Sequence, residues 1–272
     1  MERLEPLVRE LGLENRIFIL KRLKDRGKSV AQIRKELKDS GISKPFSTVG
    51  RYVKSLEDLH LVCEVRNEFY LSLKGRLVLR WIDGLEHELV GFEGVETFLF
   101  EYPIDYLADE LLFGVHVLGL SERVEDTFNV MWNTVNAVNS AEKEVLVVNT
   151  DIINREFGEL AVEKCVKGLR LSAVVYSSTV KERIDMLNDI IKEKGICGSS
   201  LKVLKENFVF KSIDGTAPNL IIADDTGAGI SLPNPEGTNS LTPAFKSADK
   251  EFIDWVRSIF VWHWSRGELV TW

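Results

Sequence analysis

Cysteine and histidine are scarce in this chain of 272 residues, and what little there is lies scattered. The three cysteines, Cys63, Cys165 and Cys197, are odd in number and far apart, which excludes a disulfide framework and leaves no pair at metal-ligand spacing. The histidines, His60, His87, His116 and His263, form no cluster either, so neither a zinc or iron site nor any other cofactor is expected. Long apolar runs are missing as well. The longest, Leu111 to Leu120, contains His116 and is about half of what a membrane helix needs. No apolar signal core follows Met1-Glu2-Arg3-Leu4-Glu5, so the expected compartment is the cytoplasm. Nucleotide-loop signatures are absent too: there is no Gly-Lys-Ser or Gly-Lys-Thr, and Gly227-Ala228-Gly229 lacks the third glycine of a dinucleotide fingerprint. Ser178-Thr179-Val180-Lys181 matches Ser-x-x-Lys by chance, because neither Ser-Asp-Asn nor Lys-Thr-Gly accompanies it.

What is present is an uneven distribution of charge. The net charge of −7 combines a first stretch of 85 residues with 18 Lys and Arg against 12 Asp and Glu with a remainder carrying 17 against 30. Arg16 to Lys54 alone holds 12 basic and three acidic residues. A cationic head on an acidic body is the footprint of nucleic-acid binding.

Within the head, Arg16 to Arg26 has helical spacing through Ile17, Leu20 and Leu23, and Gly27 ends it. Ser29-Val30-Ala31-Gln32 has the form of a capping box, so a second helix is predicted from there, with Val30, Ile33 and Leu37 on one face and Gly41 as its stop. A third, Ser47 to Leu59, aligns Val49, Val53, Leu56 and Leu59. Period-two alternation in Leu61, Cys63, Val65 and then Phe69, Leu71, Leu73, around Arg66-Asn67-Glu68, predicts a β-hairpin. Three helices followed by a hairpin make a winged helix-turn-helix, whose second motif helix enters the major groove.

The run Phe46-Ser47-Thr48-Val49-Gly50-Arg51-Tyr52-Val53-Lys54-Ser55-Leu56-Glu57-Asp58-Leu59-His60-Leu61-Val62 resembles the recognition helix and wing entry of archaeal and bacterial winged-helix transcription regulators. The resemblance implies that Ser47, Thr48 and Arg51 face bases while Lys44, Tyr52 and Lys54 hold phosphates, with partial burial as the alternative role for Tyr52. Arg66 is the wing candidate, although Glu64 and Glu68 beside it disfavour phosphate. A protein-docking winged-helix module is a rival reading, and the cationic excess argues against it.

Lys74 to Leu89 repeats Leu77, Trp81, Leu85 and Leu89, an amphipathic connector that packs on its own domain or on its copy in a homodimer; paired half-sites favour the dimer. Beyond Phe92 the composition turns acidic. Helical spacing starts at Tyr102-Pro103-Ile104-Asp105-Tyr106-Leu107, runs through Leu111 and Leu112, and recurs over Arg123 to Ala141, Val180 to Lys194 and Ser247 to Ser265. Strands are predicted at Glu144 to Asn149, Leu169 to Tyr176, Leu201 to Leu204, Phe208 to Ile213, Leu220 to Ala223 and Gly229 to Leu232, an α/β layer fold. The expected domains are a winged helix over 1–73, a connecting helix over 74–91 and an α/β ligand-sensing domain over 92–272.

Tyr102 to Leu107, Val145 to Asn149, Leu220-Ile221-Ile222-Ala223-Asp224 and Asp249 to Trp264 resemble the sensor domain of archaeal regulators of the methanogenesis regulatory (FilR-type) family, and more loosely that of archaeal trehalose and maltose regulators. That implies a fold similar to phospholipase D, turned into a sensor. The phospholipase D signature, His-x-Lys-x-x-x-x-Asp, laid on the strand before Asp224 finds Ala217 in place of the histidine nucleophile and Asn219 in place of the lysine. No catalysis is therefore expected, and a phosphodiester hydrolase or nuclease with a nonstandard site is the alternative. Effector candidates follow from strand carboxyl ends: Asn149, Thr150, Asp151, Tyr176, Ser177, Asp224, Ser231 and Asn234. The expected partners are thus a DNA operator, a small-molecule effector and a second copy of the chain, with no membrane.

Overall fold

The computed structural model describes residues 5–13, 15–93, 95–102, 104, 107–148, 154–233 and 240–272. The chain divides into two compact units, Met1–His87 and Glu88–Trp272. No described helix is long and apolar enough to cross a membrane.

The first unit runs α1 (Glu5–Leu11), α2 (Arg16–Arg22), α3 (Val30–Asp39), α4 (Phe46–Asp58), β1 (Val62–Val65), β2 (Glu68–Leu71) and the start of α5 (Leu73–Glu93). This is a winged helix-turn-helix. The capping box forms: Ser29 accepts from the Gln32 amide, and the Gln32 side chain accepts from the Ser29 amide at 2.7 Å. Gly41 takes φ +83, the left-handed angle of the stop. Arg66 (φ 54) and Asn67 (φ 61) both turn left-handed, the geometry of a tight two-residue hairpin. Lys28 exchanges backbone hydrogen bonds with Phe69, adding a third, one-residue rung to the wing. Ile19, Leu20, Ile33, Leu37, Val49, Val53, Leu56 and Leu61 are buried in one core.

The second unit contains the end of α5, then α6 (Glu96–Glu101), α7 (Asp109–Leu112), β3 (Glu122–Val124), α8 (Thr127–Ser140), β4 (Glu144–Val148), α9 (Arg155–Val166), β5 (Arg170–Tyr176), α10 (Val180–Glu193), α11 (Gly198–Asn207), β6 (Phe208–Ile213), β7 (Asn219–Ala223), β8 (Gly227–Ser231), β9 (Ala244–Ser247), α12 (Lys250–Arg266) and β10 (Glu268–Leu269). One eight-stranded sheet has the order β10-β6-β5-β4-β7-β8-β9-β3. Only the β4–β5 and β5–β6 pairs are parallel; every other neighbouring pair is antiparallel. One face packs against Phe252, Trp255, Val256 and Ile259 of α12. The other packs against α8 to α11 through Val145, Val147, Leu171, Ala173, Phe208 and Phe210.

Three predicted elements change. The helix predicted from Tyr102 starts only at α7, because Tyr102 precedes a proline, which disfavours helical backbone; it closes α6 with ψ 82, and Ile104 and Leu107 are non-helical. Leu201 to Leu204 lies in α11, because Leu201 and Leu204 sit three apart and both pack on the second core, a helical spacing rather than an alternating one. Arg123 and Val124 leave the predicted helix for β3, where they pair with Phe245 and Ala244; Asp126 then caps α8 by accepting from the Asn129 amide at 2.8 Å.

Candidate functional site

In the head, α4 turns Val49, Val53 and Leu56 inward, which leaves Ser47, Arg51 and Lys54 within about 60° of one another on the opposite side at 3.6 residues per turn. All three are exposed, and Thr48 and Lys44 are half-buried beside them. The Lys44 carbonyl accepts from Arg34 Nε at 3.2 Å, fastening the turn to α3. Arg51 makes no ion pair among the described residues. Lys54 does: its ammonium lies 2.7 Å from Glu57, which raises its pKa and answers part of its charge locally. Gly50 stands next to this row, and a Cβ there would meet nothing within 4 Å.

Tyr52 faces away from the row. The Arg16 guanidinium covers its ring at 3.9 Å, and the buried Arg16 is held by Glu10, which also accepts from Ser55. Of the two roles weighed for Tyr52, packing is the one its surroundings serve. Arg66 is exposed at the wing tip between two glutamates. Part of the head's cationic excess is consumed internally, since Lys21 and Lys24 pair with Glu86 and Asp83 of α5, and Lys28 with Glu36.

In the second unit, Asn149, Thr150, Asp151 and Asn234 lie outside the described residues. The other four effector candidates do not converge. Tyr176 ends β5 and Ser177 follows it, and Ser231, paired with Asn219, ends β8 at the same edge. Asp224 follows β7, which runs antiparallel to β4, so it emerges at the opposite edge beside Glu144. There its carboxylate accepts three backbone N–H groups, from Glu142, Lys143 and Glu144, at 2.8 to 2.9 Å. Partial burial disfavours its charge, but those donors outweigh that and lower its pKa. Asp224 ties a turn with φ 50 and is saturated by the backbone; grouping it with Tyr176 is corrected by the strand direction. Tyr176 and Ser177 are also engaged locally: the Tyr176 hydroxyl accepts from the Ala217 amide at 3.2 Å, and Ser177 donates to the Ile213 carbonyl.

The two positions that would hold phospholipase chemistry are Ala217, buried, and Asn219, whose amide donates to the Ser240 carbonyl at 3.3 Å. Asn219 and Ser231 both border a cavity of about 530 Å³ between α8 and the face of β4, β7, β8, β9 and β3. Spacing along the chain gave no sign of this cavity, because its walls come from five strands, α8 and the start of α9. The usable signal was the bare alternation Gly227-Ala228-Gly229-Ile230-Ser231.

No protein-family model matches the chain, and no curated protein does. Among solved structures it is similar to TrmBL2, described as an archaeal chromatin protein with a novel mode of DNA binding, at 14% identity over 90% of this chain and 88% of that one, with a TM-score of 0.41. It is also similar to NucT from Helicobacter pylori, at 12% identity over 53% of this chain and 92% of that one (TM-score 0.36). Nuc from Salmonella typhimurium, a phospholipase D family member, is similar at 9% identity over 52% and 91% (TM-score 0.37).

Proposed function

We propose that the protein is a DNA-binding transcriptional regulator of the cytoplasm, of the FilR type, whose second unit is a degenerate phospholipase D-like domain that senses a small molecule and catalyses nothing. The observation that carries this reading is the solvent face of α4, where Ser47, Arg51 and Lys54 line the second helix of a helix-turn-helix and Gly50 leaves the backbone bare. A helix interior loses about 1 kcal/mol to a glycine relative to alanine, and no neighbour here forbids the methyl group. Close approach of another molecule's backbone explains its presence.

The protein acts as a homodimer through α5. Leu77, Trp81 and Leu85 form an exposed apolar row, with Trp81 56% accessible, while Leu79 and Ile82 fill the head core. Charges along the same helix are antisymmetric, with Lys74, Arg76 and Arg80 in its first half and Asp83, Glu86, Glu88 and Glu93 in its second. Asp83 and Glu86 are already answered by Lys24 and Lys21, and Glu88 lies against His116, so the contact rests on the apolar row, which two antiparallel copies centred on Trp81 set face to face across a two-fold axis. Residues every four positions drift by about 40° per step, so the contact is centred on these three side chains and the axes are inclined.

The test is duplex binding by the full chain against genomic fragments at several salt concentrations. A specific complex whose affinity falls steeply with salt supports the reading. Absence of salt-sensitive duplex binding leaves the docking module, and turnover of a phosphodiester substrate replaces the sensor with an enzyme.

A further inference from the structure

We infer that the cavity beneath α8 is a binding site for one uncharged molecule, apolar along one side and bearing hydroxyl, carbonyl or amide groups along the other. This deepens the proposed sensing role and rests on it.

The cavity is written into the pleat of the sheet. One rung of cross-strand neighbours reads Val147, Ile221, Gly229, Lys246 and Glu122 over β4, β7, β8, β9 and β3. Every member except Gly229 projects a side chain from this face. Two residues away on β8, Gly227 repeats the gap, whereas Ala228 and Ile230 on the reverse face are buried in the α12 core. A Cβ built on Gly229 would find its nearest neighbours, the Phe245 carbonyl and Ile221 Cγ2, at 3.7 and 3.8 Å, ordinary contact distances, and its φ is not left-handed. Neither backbone geometry nor packing demands glycine there. A glycine inside a strand marks a place where something approaches closely, and α8 does not fill the space.

The lining sets the ligand's chemistry. Val147, Ile221 and Val130 supply an apolar side, while Asn133, Asn136, Asn154 and Asn219 bring four amides to the rim. Amides donate and accept, so they suit neutral polar groups. Asn154 spends its oxygen on the Phe157 amide, leaving its NH₂ as a donor, and Asn219 already donates to the Ser240 carbonyl. Lys246 is matched by Glu122 at 3.1 Å, which leaves no net charge at that end of the rung. An ion entering here would shed water without gaining a counter-charge, which is unfavourable.

The experiment titrates the full chain with N-phenyl-1-naphthylamine, an uncharged fluorophore, and with its sulfonated anionic relative 1-anilinonaphthalene-8-sulfonate. The expected result is one equivalent of the neutral probe per chain, with the anion at least about tenfold weaker. Gly229→Val should weaken the neutral probe by about tenfold or more, with unfolding temperature unchanged or raised. Thr134→Leu fills the cavity from the α8 side and should do the same, which covers the case in which the first variant folds poorly. Trp132→Ala, stacked on Phe128 on the outer side of α8, should leave affinity unchanged. The inference is overturned if the wild type does not bind the neutral probe, if the filled variants bind it as well as the wild type, or if the anion binds equally well. Binding lost in the filled variants but without effect on DNA affinity supports the site and removes only its regulatory use.

Discussion

Gly50→Ala separates a functional helix face from an idle one, because stability and binding should move in opposite directions. Gly50 lies inside α4, four residues from its first residue and eight from its last, away from both caps. Replacing glycine by alanine at such a position stabilises a helix by about 1 kcal/mol, chiefly by restricting the unfolded chain. Nothing within 4 Å opposes the added methyl group. For a unit of this size that gain raises the midpoint by about 4–8 °C, read as the head's own thermal transition by circular dichroism. If the α4 face docks against a duplex, the same methyl group holds the helix away from it and strains the contacts of Ser47 and Arg51. A loss of about 1.4 kcal/mol is a tenfold weaker complex, measurable by fluorescence anisotropy at fixed salt. Arg51→Ala provides the contrast: binding falls with little change in stability, since the side chain is exposed. A Gly50→Ala protein that is more stable and binds DNA as tightly as the wild type refutes the assignment of this face. One that is less stable refutes the packing around it.

Further outcomes follow from the same geometry. Trp81→Glu places a charge in the exposed row of α5 and, acting twice across a two-fold axis, should convert a dimer to monomers in analytical ultracentrifugation while leaving the helical signal intact; an unchanged sedimentation coefficient removes α5 from the interface. Asp224→Ala orphans three backbone donors and should destabilise the second unit by about 1–3 kcal/mol in urea with or without a bound molecule, whereas retained stability would contradict its role as a tie. His263 is buried, and burial followed by the Arg266 charge lowers its pKa from 6.5 to about 4. The folded state therefore resists its protonation, so its contribution is present above pH 6.5 and is lost as pH falls through about 4, up to about 3 kcal/mol. His263→Phe should flatten the decline in stability over that window, and an identical pH profile would show that another group is responsible.

The head was legible because its signals are local. Ser29 and Gln32 close their capping box within one turn, Arg66-Asn67 make a turn that needs only two residues, and the stripe Val49, Val53, Leu56 fixes which side of α4 meets solvent. Charge counting was less informative, because Lys21, Lys24 and Lys54 are answered by Glu86, Asp83 and Glu57, and proximity in space decided that. In the α/β half the apolar runs marked most strands but carried no direction. Whether Asp224 shares an edge with Tyr176 depends on β7 running against β4, a property of hydrogen-bond pairing between residues 72 to 78 positions apart along the chain. The cavity is more remote still from any one-dimensional pattern. Composition, helix faces, caps and turns were determined by the sequence itself, since each is settled among residues a few positions apart; strand direction, the pairing of charges and the gap at Gly229 came only from tertiary structure, since each depends on which distant segments the fold makes neighbours.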